Sequence, residues 1–387
     1  MSRVVLITGA RAPVAVDLAR SFRDAGYETH LADCVNPFAA RCLRPRVSLH
    51  RFASPRYDFA RFRRDMAELV GRLDPEIIIP TCEEVFYLSA AAATDGYADR
   101  LFAPPLADLR RLHSKWEFTR LAQECGVPVP ETFLVSIPTE LAAVPLPLRE
   151  MVLKPEYSRF STQTLIRPTE SEIARLQISV SRRYVAQRFV SGEEICSWAA
   201  VRNGKVVAFA AYRPVWRHGR AAIAFESVVA PGVAGASHAI AEATGMTGHL
   251  SLDLMVSETG AAVAMECNPR AVSGVHLFDA DPAMARAILG KGVAPPPPLM
   301  VSGRRTRYLA PAMAALGFPK AVVGGRFREF LAVWRRGRDV TGRTGNRLPF
   351  LGTLLDALRF TATGLIYGRT TTEQTTANIE WNGENFA

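Results

Sequence analysis

The order of apolar segments at the start of the chain constrains its fold more than any other feature of the sequence. An apolar run at residues 4–7 precedes a segment, 14–22, whose apolar side chains fall on one face of a helix. Two more strand patterns, at 28–32 and 76–80, flank a helical pattern at 59–73. Such alternation predicts a small parallel sheet and therefore a Rossmann-like N-terminal lobe.

The loop after the first strand limits what this lobe can bind. Residues 8–13, Thr-Gly-Ala-Arg-Ala-Pro, lack the G-x-G-x-x-G spacing that lets a dinucleotide pyrophosphate approach the backbone closely. A nicotinamide site is therefore disfavoured. For the same reason, the sequence disfavours a nucleotide-dependent oxidoreductase that would bind its cofactor at this sheet.

The pattern changes in the middle of the chain. After a helix predicted at 108–126, an Asn-Gly hairpin signal joins strands at 196–202 and 205–212. Further strands are predicted at 251–257 and 261–267. This part is therefore expected to be antiparallel sheet with helices rather than more parallel alternation.

These patterns and the proline-rich breaks divide the chain into three parts. We expect a Rossmann-like domain at 1–105, an α+β domain at 106–294 and an appended C-terminal region at 295–387. The C-terminal region has helical patterns at 326–336 and 350–361. The predicted fold class is thus α/β followed by α+β.

The segment around residue 266 carries the chemistry. Glu266 and Asn268 lie two residues apart on a predicted strand, so their oxygens point to one face and can hold one Mg²⁺. Asp253 would approach from the neighbouring strand. Arg270 follows on the same face, where its planar fork would offset the charge that builds on a transferred phosphoryl group.

Two upstream lysines add the positive charge that a triphosphate needs. Lys115 lies early in a predicted helix, and Lys154 ends an apolar strand before a proline. The helix lysine, the Leu-Lys-Pro strand, the motif Gln-x-Phe-Val-x-Gly-Glu-Glu and the pair Asp…Glu-x-Asn-Pro-Arg, in this order, resemble the ATP-grasp superfamily. The resemblance covers residues 106–292 and is nearest to the branch of carboxylate-amine ligases and carbamoyl-phosphate synthetase large chains, in which a Rossmann-like lobe precedes an ATP-grasp domain of two α+β subdomains.

The resemblance implies a role for each matching residue. Lys115 and Lys154 would contact the nucleotide phosphates, and Glu194 would bind the ribose. The hinge whose backbone reads adenine would be formed by Gln187, Arg188, Phe189 and Val190.

The resemblance also implies the metal ligands. Glu266 and Asn268 would be the principal ligands, Asp253 the more variable acidic position, and Arg270 the phosphate arginine. The implied cofactors are ATP and Mg²⁺, and Mn²⁺ can take the same oxygen ligands.

One loop departs from the family pattern. The family has a glycine-rich cover after the strand lysine, whereas residues 156–162 contain no glycine. Arg159, Ser161 and Thr162 are the side chains that could donate to the terminal phosphate instead.

Two groups of residues are candidates for substrate binding. Ser273 and His276 follow Arg270 in a glycine-containing turn, where a histidine could equally be structural. A second, basic group is expected in a loop after a strand and could bind a carboxylate or an acyl phosphate; it comprises Arg213, Arg217, His218 and Arg220.

The resemblance implies an ATP-dependent ligase. It would activate a substrate carboxylate as an acyl phosphate, and an amine would attack it to form an amide or peptide-like bond, with release of ADP and phosphate. Small-molecule carboxylates and amines, amino acids among them, are the expected partners. Two alternatives remain: an enzyme that uses bicarbonate, of the carboxylase or carbamoyl-phosphate type, and a non-catalytic ATP-binding module, which the glycine-free loop would suit.

Composition restricts the other partners. A net charge of +10 permits an anionic partner, but outside residues 326–336 aromatic residues are not concentrated near the basic ones, which disfavours nucleic acid. The amphipathic basic helix at 326–336 is expected to dock on its own core rather than on a membrane surface. The sequence does not decide the oligomeric state, and a homodimer is open.

Several features favour the cytoplasm. The start of the chain has no long apolar segment followed by a cleavage site, and the six cysteines are scattered as expected of reduced thiols. The most apolar long stretch, 348–367, is interrupted by Asp356 and Arg359, so a transmembrane helix is disfavoured.

Overall fold

A four-stranded parallel sheet opens the chain. The computed structural model describes residues 3–158, 163–219, 221–290, 298–343 and 345–386. The strands of the first sheet are β1 (Val4–Thr8), β2 (Glu28–Asp33), β3 (Ser48–Arg51) and β4 (Ile77–Ile79). They are ordered β3-β2-β1-β4. The helices of this part are α1 (Pro13–Asp24), α2 (Phe38–Arg41), α3 (Phe59–Leu73) and α4 (Glu84–Asp95).

The central strand β1 shows why the first apolar run is continuous. Val5 and Ile7 point to one side, into a core that contains Phe22 of α1. Leu6 points to the other side and joins a core that contains Phe62 of α3. Because helices cover both faces of this parallel sheet, every central residue of β1 is buried.

A second sheet, of four antiparallel strands, follows two helices. The helices are α5 (Leu106–His113) and α6 (Lys115–Glu124), with the shorter α7 (Pro138–Ala142) and α8 (Glu170–Ile173) at the sheet. The strands are β5 (Thr132–Val135), β6 (Met151–Pro155), β7 (Leu165–Ile166) and β8 (Tyr184–Arg188), ordered β5-β8-β6-β7.

The helix predicted at 108–126 is two helices, α5 and α6, and the hydrogen bonds of Ser114 fix the position of the break between them. Ser114 caps α6 by accepting a hydrogen bond from the Glu117 amide at 3.1 Å. The same hydroxyl donates to Glu156 Oε1 at 2.5 Å. The cap fixes Lys115 as the first residue of α6, next to the end of β6.

The third sheet has eight strands and carries the predicted chemistry. Its longer strands are β9 (Glu193–Arg202), β10 (Lys205–His218), β11 (Ala221–Val228), β12 (Gly248–Val256) and β13 (Ala262–Asn268). Three short strands complete it: β14 (Leu299–Met300), β15 (Thr306–Tyr308) and β16 (Arg338–Asp339). The order is β13-β12-β9-β10-β11-β15-β16, with β14 paired to β10. Helices α9 (Pro231–Thr244) and α10 (Pro282–Leu289) pack against it.

The C-terminal residues are distributed over the rest of the molecule instead of forming a lobe of their own. Strands β14, β15 and β16 join the third sheet, and β15 pairs with β11. The remaining helices are α11 (Ala310–Ala312), α12 (Phe318–Val323), α13 (Phe327–Arg336), α14 (Leu348–Ile366) and α15 (Thr371–Thr376). Helix α14 packs on α2, and the final residues pack on the first domain, where Trp381 stacks on Phe86 with ring centroids 4.6 Å apart.

Helix α13, which carries the basic amphipathic pattern, docks on the third sheet. Phe330 and Val333 are buried, and Trp334 stacks on Tyr308 of β15 at 5.0 Å. Among the described residues, no helix is both long and apolar enough to cross a bilayer. All six cysteines are free thiols.

Candidate active site

Strands β12 and β13 bring the predicted metal ligands together. Asp253 and Glu266 are direct partners in the antiparallel register of these strands. Glu266 and Asn268 lie two residues apart on β13 and share a face, and the Asn268 amide donates to Asp253 Oδ2 at 3.2 Å. Three oxygen-bearing side chains therefore converge at one end of the strand pair.

The two predicted phosphate lysines reach the same point from the second sheet and from α6. Lys115 Nζ and Lys154 Nζ each lie 3.9 Å from Glu266 Oε2. Both lysine side chains are almost completely buried. Lys154 also donates to the Met265 carbonyl at 3.3 Å, and Lys115 to Ser158 Oγ at 3.1 Å. Residues from two sheets and one helix thus meet around a single carboxylate.

Burial and neighbouring charges set the ionisation of these groups. Burial lowers the pKa of both lysines, to about 8 for Lys154, although Glu266 opposes the shift. Burial alone would raise the pKa of Glu266, but the two lysines outweigh it and its pKa falls. The pKa of Asp253 rises because this carboxyl is buried beside Glu266. Glu266 is therefore ionised at neutral pH, and its negative charge favours the protonated form of both lysines.

Arg270 connects this cluster to the first domain. Its Nη2 donates to Asn268 Oδ1 at 3.2 Å, and its Nε lies 3.7 Å from Glu83 Oε1. Glu83 is buried and directly precedes α4, just beyond the carboxyl end of β4. The guanidinium is therefore held between β13 and the edge of the parallel sheet.

The donor set fits a hard divalent cation. No group of three or more His, Cys, Asp or Glu arranged for a metal occurs in the described part of the chain. Mg²⁺ does not need such a group, because it usually takes one or two protein carboxylates and completes its shell with phosphate oxygens and water. Glu266 and Asp253, with the Asn268 carboxamide, match that pattern in number and chemistry.

The predicted hinge is built on β8. Gln187 is fully buried and donates from Nε2 to Thr132 Oγ1 at 3.0 Å, whereas its Oε1 has no hydrogen-bond partner among the described residues. The Phe189 amide donates to the Glu150 carbonyl at 2.7 Å. The orphaned, buried Gln187 oxygen is an acceptor suited to an exocyclic amino group such as that of adenine.

The other hinge residues are held by ionic and aromatic contacts. Arg188 forms ion pairs with Glu131 at 2.7 Å and Glu150 at 2.6 Å. The Arg167 guanidinium lies 4.2 Å from the centroid of the Phe189 ring. Val190 is the second residue after the end of β8. The ion pairs of Arg188 and the contact between Arg167 and Phe189 thus hold the predicted hinge where it leaves β8.

Glu194 and the predicted basic cluster lie on adjacent strands. Glu194, on β9, forms an ion pair with Arg217 at 2.6 Å, and both residues line a cavity. Arg213 pairs instead with Glu193 and Glu226. The prediction of a loop here was wrong, because Arg213, Arg217 and His218 belong to β10 itself. Arg220 lies outside the described residues.

The two candidate residues in the turn after Arg270 both lie at the cavity, and one of them also has a structural contact. Ser273 and His276 both line the cavity. His276 is buried, however, and its Nδ1 lies 2.8 Å from Asp17 Oδ2 of α1. Of the two interpretations that the sequence left open for this histidine, the structural one has a visible partner.

The cavity lies between the first domain and the third sheet. It has a volume of about 500 Å³. Glu266, Asn268 and Arg270 line one part of it, and Pro13 and Val14 at the start of α1 another. Apolar side chains from β11 and the C-terminal residues complete the wall, namely Ile223, Phe225, Leu309, Val340 and Phe360.

The glycine-free loop is anchored at its start. Glu156 is buried and, besides Ser114, contacts Arg183 Nε at 2.7 Å. Tyr157 packs edge-on against Trp381 with centroids 5.2 Å apart. The predicted phosphate donors Arg159, Ser161 and Thr162 lie outside the described residues.

Sequence reasoning missed Glu83 and Glu156. Glu83 follows the carboxyl end of β4, which is where ligand sites of parallel sheets lie, so its position was an available signal. Glu156 had no such signal, because its partners Ser114 and Arg183 are 42 and 27 positions away in the sequence.

Comparison with solved structures identifies the fold. A carboxyaminoimidazole ribonucleotide synthase from Aspergillus clavatus, complexed with ATP, matches with a TM-score of 0.64 at 13% identity, over 87% of this chain and 99% of that one. A biotin carboxylase from Campylobacter jejuni matches with a TM-score of 0.61 at 12% identity, over 79% and 75%. These proteins are ATP-grasp enzymes. The chain has the ATP-grasp fold.

A third ATP-grasp structure is similar over a smaller part of the chain. The L-amino acid ligase from Bacillus licheniformis matches with a TM-score of 0.54 at 13% identity, over 71% of this chain and 68% of that one. No family model and no curated protein sequence matches. The ATP-grasp fold predicted from the order of the motifs is thus confirmed at identities too low to carry substrates across.

Proposed function

We propose that the protein is an ATP-dependent ligase that activates a small-molecule carboxylate as an acyl phosphate and joins it to an amine. The observation that carries the proposal is the meeting of Lys115 and Lys154 at Glu266 of β13, whose last residue, Asn268, lines a cavity together with Arg270 just beyond the strand. Buried cations concentrated beside an oxygen-ligand set suit a triphosphate and its metal.

Each end of the nucleotide has a matching group. Lys115 and Lys154 would neutralise phosphate oxygens, and the orphaned Gln187 Oε1 would accept a hydrogen bond from the adenine amino group. The Val190 backbone and Glu194 would complete the hinge and the ribose contact. Bound Mg²⁺ or Mn²⁺, held by Glu266, Asn268 and Asp253, would supply charge neutralisation at the phosphates.

The protein's part in the reaction is orientation and electrostatics. A carboxylate oxygen would form a bond to the γ-phosphorus while the bridging oxygen leaves with ADP. Arg270, held between Asn268 and Glu83, would stabilise the charge on the phosphoryl oxygens in transit. The amine nitrogen would then bond to the acyl carbon, lose a proton and displace phosphate.

The cavity explains how an acyl phosphate would survive. Its walls come from the first domain, the third sheet and the C-terminal residues, and many are apolar. Such walls exclude water, which would otherwise hydrolyse the intermediate. The similar structures include ATP-grasp enzymes named for amino acid and ribonucleotide substrates, which supports small-molecule carboxylates and amines, amino acids among them, as the class to test. These substrates favour the cytoplasm as the compartment.

Release of ADP tests the proposal. The purified chain with ATP and Mg²⁺ would be screened against paired panels of amino acids, other small carboxylic acids and amines. We expect ADP release that requires both a carboxylate and an amine and that Glu266→Ala abolishes. Glu193→Ala is the matched control, because Glu193 lies on neighbouring β9 outside the cavity lining and pairs with Arg213.

Two results would redirect the assignment. ADP release that bicarbonate stimulates without a second carboxylate would indicate the bicarbonate reaction instead. Tight ATP binding by the wild type with no turnover across the panel would indicate a non-catalytic ATP-binding module. If Glu266→Ala binds ATP and Mg²⁺ as the wild type does, the proposed site itself is wrong.

A further inference from the structure

Helix α14 is amphipathic, but it buries a face of mostly small and polar residues and exposes its apolar face. It has 19 residues and lies at the surface against α2. Its buried positions are Pro349, Gly352, Thr353, Asp356, Phe360 and Gly364, which share one face of the helix. Most of these are small or polar, whereas a helix that docks on a protein core normally buries its large apolar residues.

The buried face makes specific contacts with the first domain. Asp356 accepts hydrogen bonds from the Phe38 and Ala39 amides of α2, at 3.1 and 2.9 Å. At Gly352 the helix approaches so closely that a Cβ atom would lie 2.5 Å from the Phe38 carbonyl oxygen. The orientation of α14 is therefore fixed by polar and close backbone contacts rather than by burial of leucines.

The outer face carries the leucines. Leu351, Leu354, Leu355 and Leu358 are exposed, and Leu365 and Ile366 are more than three-quarters exposed. Every residue of α14 is described, and none of its exposed positions is charged. The helix spans about 28 Å at 1.5 Å per residue. A continuous apolar surface of this size on a protein's exterior marks a binding surface.

The charge around this surface selects the kind of partner. Residues 298–386 contain 13 Lys and Arg and six Asp and Glu, but five of these arginines pair with acidic residues outside that range: Arg304 and Arg336 with Glu226, Arg305 and Arg307 with Asp279, and Arg343 with Asp17. Arg347 precedes the helix and Arg369 follows it, and both are exposed. The charge at the ends of the outer face is therefore that of Arg347 and Arg369: an anionic surface would attract both, whereas a second copy would bring like charges against them.

We propose that the outer face of α14 binds the surface of an anionic lipid bilayer. The helix would lie in the plane of the interface, with Leu351, Leu355 and Leu358 among the acyl chains and the flanking arginines at the headgroups. This inference does not depend on the ligase reaction, because no residue of the outer face lines the cavity.

Vesicle flotation of the full chain tests the proposal. We expect binding to phosphatidylcholine vesicles that contain phosphatidylglycerol, weaker binding without the anionic lipid, and loss of binding at high salt. The triple variant Leu351→Gln, Leu355→Gln, Leu358→Gln should weaken binding by roughly 100-fold or more. Arg347→Gln and Arg369→Gln should each weaken it roughly fivefold.

The matched control replaces exposed apolar residues elsewhere. The variant Val180→Gln, Val229→Gln, Met300→Gln should bind as the wild type does, because these side chains are exposed and none of them lies on α14 or on α2, α11 and α15, which pack against it. Hydrogen exchange across 348–366 in the wild type should slow when anionic vesicles are added, a readout that needs no variant.

Three results would overturn the proposal. The first is no binding of the wild type to anionic vesicles. The second is equal binding by the leucine variant and the wild type when both have the same melting temperature. The third is a wild-type dimer in light scattering that the leucine variant converts into a monomer, since the face would then belong to a second copy.

Discussion

Glu266→Gln isolates the electrostatics of the site because it keeps the size of the side chain and removes its charge. Glu266 Oε2 lies 3.9 Å from both Lys115 Nζ and Lys154 Nζ, and its side chain is 24% exposed while the lysines are almost completely buried. The substitution leaves two ammonium groups together with no ionised Glu266 between them. We expect the folded state to lose stability even with no nucleotide present.

The distances set the size of the effect. At 3.9 Å and an effective dielectric constant of about 20, each attraction is worth about 4 kcal/mol before the cost of desolvation. Removing one partner of a buried pair typically costs about 3–5 kcal/mol. Because Glu266 is partly exposed, we expect a net loss of about 2–4 kcal/mol in the free energy of unfolding.

Urea denaturation of a double-mutant cycle measures this effect. The cycle combines Glu266→Gln with Lys154→Met, and the double variant should lose less than the sum of the single losses, because removing one lysine relieves the repulsion that the first change exposes. Glu193→Gln is the control and should cost no more than about 0.5 kcal/mol, since its pair with Arg213 is exposed. A coupling energy below about 0.5 kcal/mol would refute the electrostatic account of the site.

Three further outcomes follow from described contacts. Gln187→Leu should raise the KM for ATP about fivefold while leaving that for GTP unchanged, since the lost acceptor would pair with the 6-amino group of adenine, where guanine carries a carbonyl; equal effects on both nucleotides would contradict the hinge assignment. Trp381→Ala should cost about 3–5 kcal/mol of stability in thermal or urea unfolding, because the indole is 1% exposed and stacks on Phe86. Asp17, buried against His276 and Arg20, has a pKa below its usual 3.8, so its stabilising contribution is complete above that value and is lost as the pH falls further. Asp17→Asn should remove that acid-dependent component from the unfolding profile, and an unchanged profile would show that Asp17 does not supply it.

Much of the fold could be predicted because it depends on local patterns. Residues that are close in the sequence determine the alternation of β1, α1 and β2 and the Asn-Gly hairpin between β9 and β10. The convergence of Glu266 and Asn268 follows from strand periodicity alone. Their meeting with Lys115 and Lys154 followed from the resemblance, since no local pattern links positions 115, 154 and 266.

The errors arose where distant contacts override local signals. The predicted strand ended at residue 212, yet β10 continues to His218 by way of a register shift after Pro214, and Arg217 therefore lies on the sheet. The break between α5 and α6 depends on Glu156, which accepts the Ser114 hydroxyl from 42 positions away. The C-terminal strands could not be placed because two or three residues carry too little pattern to specify a pairing partner.

Helix α14 borders the cavity on its inner side and the solvent on its outer side. Phe360, on its inner side, forms part of the cavity wall, and Leu358, two residues earlier, faces outward. A displacement of this helix would therefore change the shape of the cavity and the position of the leucines together. A ligand of the cavity that favours one position of α14 would change the affinity of the outer face for its partner. By thermodynamic linkage, binding of that partner would change the affinity of the cavity for the ligand by the same factor. If α14 takes two such positions, the affinity of the outer face would depend on whether the cavity is occupied.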